Sequence, residues 1–290
     1  MELSDAETNG KEGEGRGVSE LVAVGVDAGA SLVKLALRQG GDLAHELLPA
    51  NALDTVAQRV AKLEPRRLGL TGAGAGELAR RLATESVRVT EFSAWGTGVR
   101  RLLAAQRPDV TEPYLLVSLG TGTSVLLAQG LGVSRVGGTA LGGGTLMGLG
   151  GLLLGGASFA EILALAAKGD RRRVDLLVSD IYRPGEIALM GDATAANFGK
   201  PRVHDNAAPE DLANAIMGLL GENVALICTG LAAAHGVRRI VYGGSTLRGN
   251  KPLRDVLLLI TAAFGREPLF LDEGEFAGAL GALELAGGFS

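Results

Sequence analysis

The stretches VAVGVDAGASLVKLAL, from Val22, and LLVSLGTGTSVLLA, from Leu115, share one design: an apolar strand, a turn of small residues, and a second apolar strand. In the first, Val22, Val24 and Val26 alternate into the turn Asp-Ala-Gly-Ala-Ser, after which residues 32–37 resume an apolar strand. The second turn adds the hydroxyls of Thr121, Thr123 and Ser124 to Gly120 and Gly122. A chain that carries this unit twice, each copy followed by helical segments, is constrained to two lobes whose turns face one another across a cleft.

The remaining periodicity predicts helices over residues 51–63, 77–84, 94–105, 159–168, 209–235, 252–264 and 276–286. The segments SVRVTEF, RRIVYGGSTL and PLFLDE read as strands, and VDLLVSDIY as an extended piece. Strands alternating with helices indicate α/β architecture. The helix over 209–235 has few charges and apolar residues on several faces, which predicts deep burial and also offers a candidate dimer face. We divide the chain into an acidic, glycine-rich tail over 1–20, expected to be disordered, an N-terminal lobe over 21–112 and a C-terminal lobe over 113–290.

Composition narrows the function classes. A formal charge of −4 argues against a nucleic-acid binder that relies on bulk charge. The one cysteine, Cys228, forms no intrachain disulfide and reads as a small buried apolar residue. Residues 146–167 are long and apolar enough to raise a membrane span, but Glu161 and paired glycines interrupt them. With no apolar h-region in the tail, the expectation is a soluble, cytoplasmic protein without membrane partners.

The turns carry the chemistry. Asp27 ends an apolar strand beside Gly29 and Ser31, a placement suited to holding Mg2+ through water, and Lys34 offers a point charge to phosphate. A plain hairpin turn accounts for the same residues. The second turn has the composition of an anion-binding nest, and two facing nests suit a polyphosphate chain. A third glycine-hydroxyl turn, Gly243, Gly244 and Ser245, follows a strand and is placed to seat the adenosine end of a nucleotide. Neither GxxxxGK[ST] nor GxGxxG after the first strand occurs, which disfavours those nucleotide folds. Glu91 reads as a carboxylate at the end of strand VRVTEF or, alternatively, as an acid at a helix N-terminus.

Taken in order, DAGASLVK, VTEFSAWGTG, SLGTGTSV, RVGGTALGGGTLMGL, GDATAANFGK, YGGSTLRGNKPLR and EGEFAGALGAL resemble the type II pantothenate kinases, of the acetate kinase/sugar kinase/Hsp70/actin superfamily. The resemblance implies a two-lobed, ribonuclease H-like (actin-like ATPase) α/β fold with mixed sheets and a central nucleotide cleft. It implies ATP and Mg2+, with pantothenate phosphorylated to 4'-phosphopantothenate at the head of coenzyme A biosynthesis. It makes Glu91 the general base and Arg135 the grip on the pantothenate carboxylate, with Thr121, Thr123 and Ser124 beside the substrate. Gly142, Gly143 and Gly144 become a loop whose missing side chains let the nucleotide approach. A homodimer and regulation by coenzyme A thioesters are further implications. Two positions depart from the family pattern: Ala30, where glycine is usual and which takes a positive φ less cheaply, and Trp95, where a small hydroxyl residue is usual. Another small-molecule kinase of the superfamily, acting on a sugar-like or pantothenamide acceptor, and a catalytically impaired nucleotide sensor are the alternatives.

Overall fold

The computed structural model describes residues 22–130, 132–201 and 207–287, so the tail expected over residues 1–20 lies outside the described residues. The first half runs β1 (Val22–Ala28), β2 (Leu32–Gln39), β3 (Asp42–Pro49), α1 (Leu53–Lys62), β4 (Arg67–Thr71), α2 (Ala75–Arg81), β5 (Val87–Arg88) and α3 (Glu91–Gln106). Then follow β6 (Tyr114–Leu119), β7 (Thr123–Gln129), β8 (Gly132–Thr139), α4 (Gly143–Leu153), α5 (Phe159–Ala166), β9 (Leu176–Leu177) and β10 (Thr194–Ala196). The chain closes with α6 (Pro209–Ala234), β11 (Arg239–Gly243), α7 (Lys251–Ala263), β12 (Glu267–Phe270) and α8 (Ala277–Leu285).

The two strand–turn–strand units become the centres of two five-stranded mixed sheets with one topology. The first is ordered β3-β2-β1-β4-β5 and the second β8-β7-β6-β11-β12. In each, the leading strand pairs antiparallel with its hairpin partner and parallel with a later strand on its other side. Strands β1 and β6 are buried along almost their whole length, as a strand covered on both faces must be.

Alternation within β1 sorts its two faces by size. Val24, Val26 and Ala28 join Val33, Leu35, Leu68 and Leu70 against α1 and α2. The opposite face carries Ala23, Gly25 and Asp27, and there α8 lies almost on the sheet backbone. A Cβ at Gly25 would fall 2.0 Å from the Ala279 carbonyl oxygen, and one at Gly69 2.0 Å from that of Ala282. The same helix crosses α3 through small residues: a Cβ at Gly98 would stand 1.8 Å from Ala277 O, and one at Gly281 1.8 Å from Ala94 O. Glycine is therefore required at these four positions by close approach.

Helix α6 is buried along most of its length, as its composition predicts. It is long and apolar enough to cross a membrane, but it packs against α4, α5 and α7 as the core helix of the second half. Its apolar faces are largely consumed there, with Leu226 its exposed large apolar residue; larger exposed apolar groups lie on α4 (Leu152, Leu153) and α7 (Leu258, Leu259). Cys228, on α6, is fully buried, and burial pushes its thiol up to about 12, an inert group. The apolar run over 146–167 breaks between α4 and α5 at Gly155 and Gly156, both at positive φ.

Several elements differ from the sequence expectation, among them an additional helix at α4 (Gly143–Leu153). Helix α3 begins at Glu91, and the strand expected over SVRVTEF shrinks to Val87–Arg88. The segment VDLLVSDIY is mostly not extended, because side chains capture its backbone: Asp180 accepts from Leu177 N at 2.8 Å and turns the chain into a short 3-10 helix. The GDATAANFGK segment is then fastened to α6, where buried Glu222 accepts from Thr194 Oγ1 at 2.7 Å, Asn197 Nδ2 at 3.1 Å and Arg171 Nη2 at 2.7 Å. Strand β8 was not anticipated at all; its glycine-rich sequence is held extended by pairing with β7.

The α3–α8 crossing yields a direct test. Gly281→Ala forces a methyl into the Ala94 carbonyl and is expected to lower unfolding free energy by about 2 kcal/mol or more. Gly148→Ala on α4, where nothing lies within 4 Å of the added carbon, is expected to raise it by up to about 1 kcal/mol. Urea denaturation midpoints of the two variants check both signs.

Candidate active site

A cleft of about 340 Å³ opens where the leading turns of the two sheets meet. The turns touch: Ser31 Oγ and Thr121 Oγ1 are 2.9 Å apart, a hydrogen bond between hydroxyls from different sheets. This is the facing arrangement that the duplicated unit predicts. From the first turn and its strands, Asp27, Gly29, Ser31 and Lys34 line the cleft. From the second come Gly120, Thr121, Gly122, Thr123 and Ser124, and from the third Gly244 and Ser245. Glu91 and Arg135 complete the set.

Asp27 sits on the face of β1 that carries Gly25, and the antiparallel register places Lys34 directly opposite. Both side chains are buried, with Lys34 Nζ 3.5 Å from Asp27 Oδ2. Burial raises the Asp27 carboxyl above the ordinary aspartate range, and the Lys34 charge opposes that rise. The turn itself is closed by Gly29 N donating to Leu32 O at 3.1 Å. Ala30 is not among the residues at positive φ, so the turn does not demand the conformation that would favour glycine there.

Glu91 is the first residue of α3, not the end of a strand, so its carboxylate meets the positive end of the helix dipole. Its carboxyl is nevertheless held above the ordinary glutamate range, first by partial withdrawal from water and then by the Asp27 charge, with Lys34 pulling the other way. Such a group accepts a proton more readily than a surface glutamate.

Arg135 reaches the cleft through an irregularity in β8. Leu126 pairs with Arg135 while Val125 pairs with Gly137, leaving Val136 as the extra residue of a bulge. Strict alternation would put Arg135 on the face of Gly137 and Thr139; the bulge moves it to the face of Gly138. A Cβ on Gly138 would lie 2.8 Å from Arg135 Nη2, so the missing side chain makes room for the guanidinium. Arg135 has no hydrogen-bond or ion-pair partner among the described residues.

Gly142, Gly143 and Gly144 do not line the cleft. Their role is to back the second turn: Gly143 N donates to Gly120 O and Gly144 N to Thr121 O, both at 2.8 Å. A Cβ at Gly142 would stand 2.7 Å from Thr121 O. The room their missing side chains leave is filled by the turn's own backbone. Gly244, at φ +115, abuts Leu119, where an added Cβ would meet backbone at 2.3 Å.

Sequence reasoning passed over Gly72 and Ala73, which line the cleft after β4, and Ser118 and Thr139 at the ends of β6 and β8. For the first pair, RRLGLTGAG reads as a short strand running into a turn, from which alone no site role follows. Trp95 also lines the cleft, although it is only 5% exposed.

The fold can be compared with known structures at this point. The activator of 2-hydroxyisocaproyl-CoA dehydratase from Clostridium difficile, solved with ADPNP, superposes with a TM-score of 0.61 at 18% identity, covering 92% of this chain and 94% of that one. A ROK family glucokinase from Streptomyces griseus, solved with glucose and AMPPNP, superposes at 0.56 with 16% identity, covering 92% and 99%. Two mixed sheets of one topology and turns meeting in a cleft thus define a two-lobed actin-like α/β protein. Residues 84–284 match the Fumble family model. The type II pantothenate kinase of Oceanobacillus iheyensis is 36% identical over 264 residues, 90% of this chain and 98% of that one. That of Staphylococcus saprophyticus is 32% identical over 264 residues, covering 90% and 99%. The chain belongs to the Fumble family of type II pantothenate kinases, as its motifs led us to expect.

The placement of Arg135 is open to test. Gly138→Ala would put a methyl 2.5 Å from Thr123 O at a φ of +154 and against the guanidinium. We expect a loss of about 1–3 kcal/mol in unfolding free energy, read from urea melts.

Proposed function

We propose that the protein transfers the γ-phosphoryl group of ATP to the primary hydroxyl of pantothenate, giving 4'-phosphopantothenate and ADP in the first step of coenzyme A biosynthesis. The observation that carries this reading is the pairing, in one cleft, of an Arg135 guanidinium without a partner among the described residues with the Glu91 carboxylate, whose affinity for a proton is raised. A guanidinium with a free fork suits a carboxylate substrate, and pantothenate bears both a carboxylate and an alcohol.

In this reading Arg135 grips the pantothenate carboxylate, with Thr123 and Ser124 beside it. Glu91 takes the hydroxyl proton as the alkoxide oxygen attacks the γ-phosphorus in line. The bond from that phosphorus to the bridging oxygen breaks, and ADP leaves with the electron pair. The turns at residues 29–31 and 120–122 and Lys34 meet the phosphates, and Gly244 and Ser245 the adenosine end. Positioning and charge neutralisation supply most of the acceleration.

The donor set fits Mg2+. Among the described residues no cluster of three or more His, Cys, Asp or Glu exists. A cation that keeps its waters and shares phosphate oxygens needs no such cage, and the buried Asp27 carboxylate opens on the cleft. Asp27 would hold the ion through water, and the ion would draw charge off the phosphates.

The same reading takes the lobes as residues 21–112 and 113–290, with α8 returning to pack on the first sheet. It places the protein in the cytoplasm, as a homodimer, with a coenzyme A thioester as regulator. Exposed apolar residues on α4 and α7 support self-association; sedimentation velocity tests it, and a monomer at micromolar concentration would remove that part of the reading.

The experiment is ADP release with MgATP, comparing pantothenate, N-acetylglucosamine and no acceptor. Glu91→Gln is expected to lower kcat by roughly 10²–10⁴-fold. Arg135→Ala should raise KM for pantothenate roughly 10–100-fold and leave KM for ATP unchanged. An unchanged pantothenate KM would point to an acceptor without a carboxylate. ATP binding without turnover of any acceptor would point to a sensor.

The pH dependence follows from Glu91. Its active form is deprotonated, so kcat/KM is full above its pKa and falls as pH drops through it. Because burial and Asp27 raise that pKa, the acidic limb should lie above the ordinary glutamate value of 4.5. Asp27→Asn removes the neighbouring charge and should move the limb of any residual activity downward.

A further inference from the structure

The loop between β12 and α8 ties together parts of the fold that meet nowhere else outside the cleft. Leu271 N donates to Tyr242 O at 3.3 Å, and Asp272 exchanges two hydrogen bonds with the Gln106 side chain at the end of α3, at 2.9 and 3.0 Å. Gly274 lies against the third turn: a Cβ on it would stand 3.2 Å from Gly243 Cα. Glu275 Oε1 is 3.7 Å from Arg248 Nε, just beyond that turn. From the other side, β3 of the first sheet reaches the same loop through His45. Its ring stacks on Phe276 with centroids 4.5 Å apart, and its Nδ1 is 3.2 Å from Glu273 Oε1.

Both partners in that polar contact are costly choices where they stand. The His45 side chain is 9% exposed, and its Nε2 is buried without a hydrogen-bond partner among the described residues. A phenyl ring would also stack on Phe276 and would orphan no polar atom. Glu273 sits at φ +56 and ψ +20, the left-handed region where glycine is at ease and a side chain is strained. What phenyl and glycine would forfeit is the approach of Nδ1 to Oε1. Strain of this kind persists where the surroundings impose it, and it gathers at functional sites. The loop that these two side chains fix is the one that backs Gly243 and Gly244, and Gly244 lines the cleft.

We propose that His45 is a positioning residue for the nucleotide: from the first sheet it holds Glu273 and Phe276, and through them the loop that supports the turn at residues 243–245 against the adenosine end. The inference rests on the reading, given above, that Gly244 and Ser245 meet that end. His45 does not line the cleft, so it acts through the loop and touches neither substrate. The first sheet thus serves the nucleotide twice, by its own turn at the phosphates and by this brace behind the adenosine turn of the second sheet.

Calorimetric titration of the full chain with ADP and with inorganic pyrophosphate, both with Mg2+, separates the adenosine end from the phosphates and needs no acceptor. His45→Phe keeps the stack and removes Nδ1. ADP should bind this variant roughly 3–10-fold more weakly, the range for one polar contact to a partly exposed carboxylate. Pyrophosphate should bind variant and wild type alike, and the urea midpoint should be equal or higher, because the orphaned nitrogen is gone. Glu273→Gly, which removes the carboxylate and relieves the backbone, should show the same selective loss. Glu273→Gln, which leaves an oxygen within reach of Nδ1, should keep most of the ADP affinity. The double variant His45→Phe with Glu273→Gly should be no weaker than the worse single one, because both break one contact. Wild-type ADP affinity in His45→Phe would overturn the proposal, as would equal losses for ADP and pyrophosphate, a loss that tracks a lowered urea midpoint, or additive losses in the double variant. Absence of pantothenate turnover in the wild type, with these binding results intact, would sink the proposed reaction alone. Equal wild-type affinity for ADP and pyrophosphate would sink both the adenosine reading of the third turn and this inference.

Discussion

The approach of α8 to the backbones of β1, β4 and α3 is the contact on which the rest of the site depends. At four glycines an added carbon would fall about 2 Å or less from a carbonyl oxygen across the contact. Helix, sheet and helix are locked at backbone distance, with no flexible side chain between them to absorb a shift. Asp27 is the polar member of the β1 face that α8 covers, and α3, pinned by the same helix, carries Glu91 and Trp95 on its next turn. The backbone spacing from which the three side chains project is therefore set by these contacts.

Electrostatics then separates their tasks. Asp27 and Glu91 both sit above the usual carboxylate range chiefly because of desolvation, and the Asp27 charge raises Glu91 further. Lys34, buried opposite Asp27, favours the charged form of both. Arg135 stands apart, without an ion-pair partner among the described residues, on a strand whose bulge turns it toward Gly138. On the proposed reading, one end of the cleft serves phosphate and a hydrated cation and the other a carboxylate, with Glu91 as the base.

Much of the site was legible in the residues. The turns at 27–31 and 120–124 declare themselves because small hydroxyl-bearing turns between apolar strands have few structural uses, and their duplication implies the cleft. Family motifs add Glu91 and Arg135. The Gly142–Gly144 run shows the limit of such signals: a glycine cluster states only that something comes close, and here the second turn's own backbone does so. Ala30 was weighed as a defect on the assumption of a positive φ that the turn does not use.

What the sequence by itself determined is local: strand–turn–strand units, helix periods, the polarity of each turn and, through its motifs, the family. Those follow from side-chain alternation and backbone preference within a few residues. Only the tertiary structure decided that Glu91 begins a helix, that β8 is a strand, that a bulge swings Arg135 into the cleft, and that Trp95 and Asp27 share the space above Gly278. Each of these depends on groups far apart in the chain meeting at van der Waals distance, and no window of neighbouring residues contains that contact.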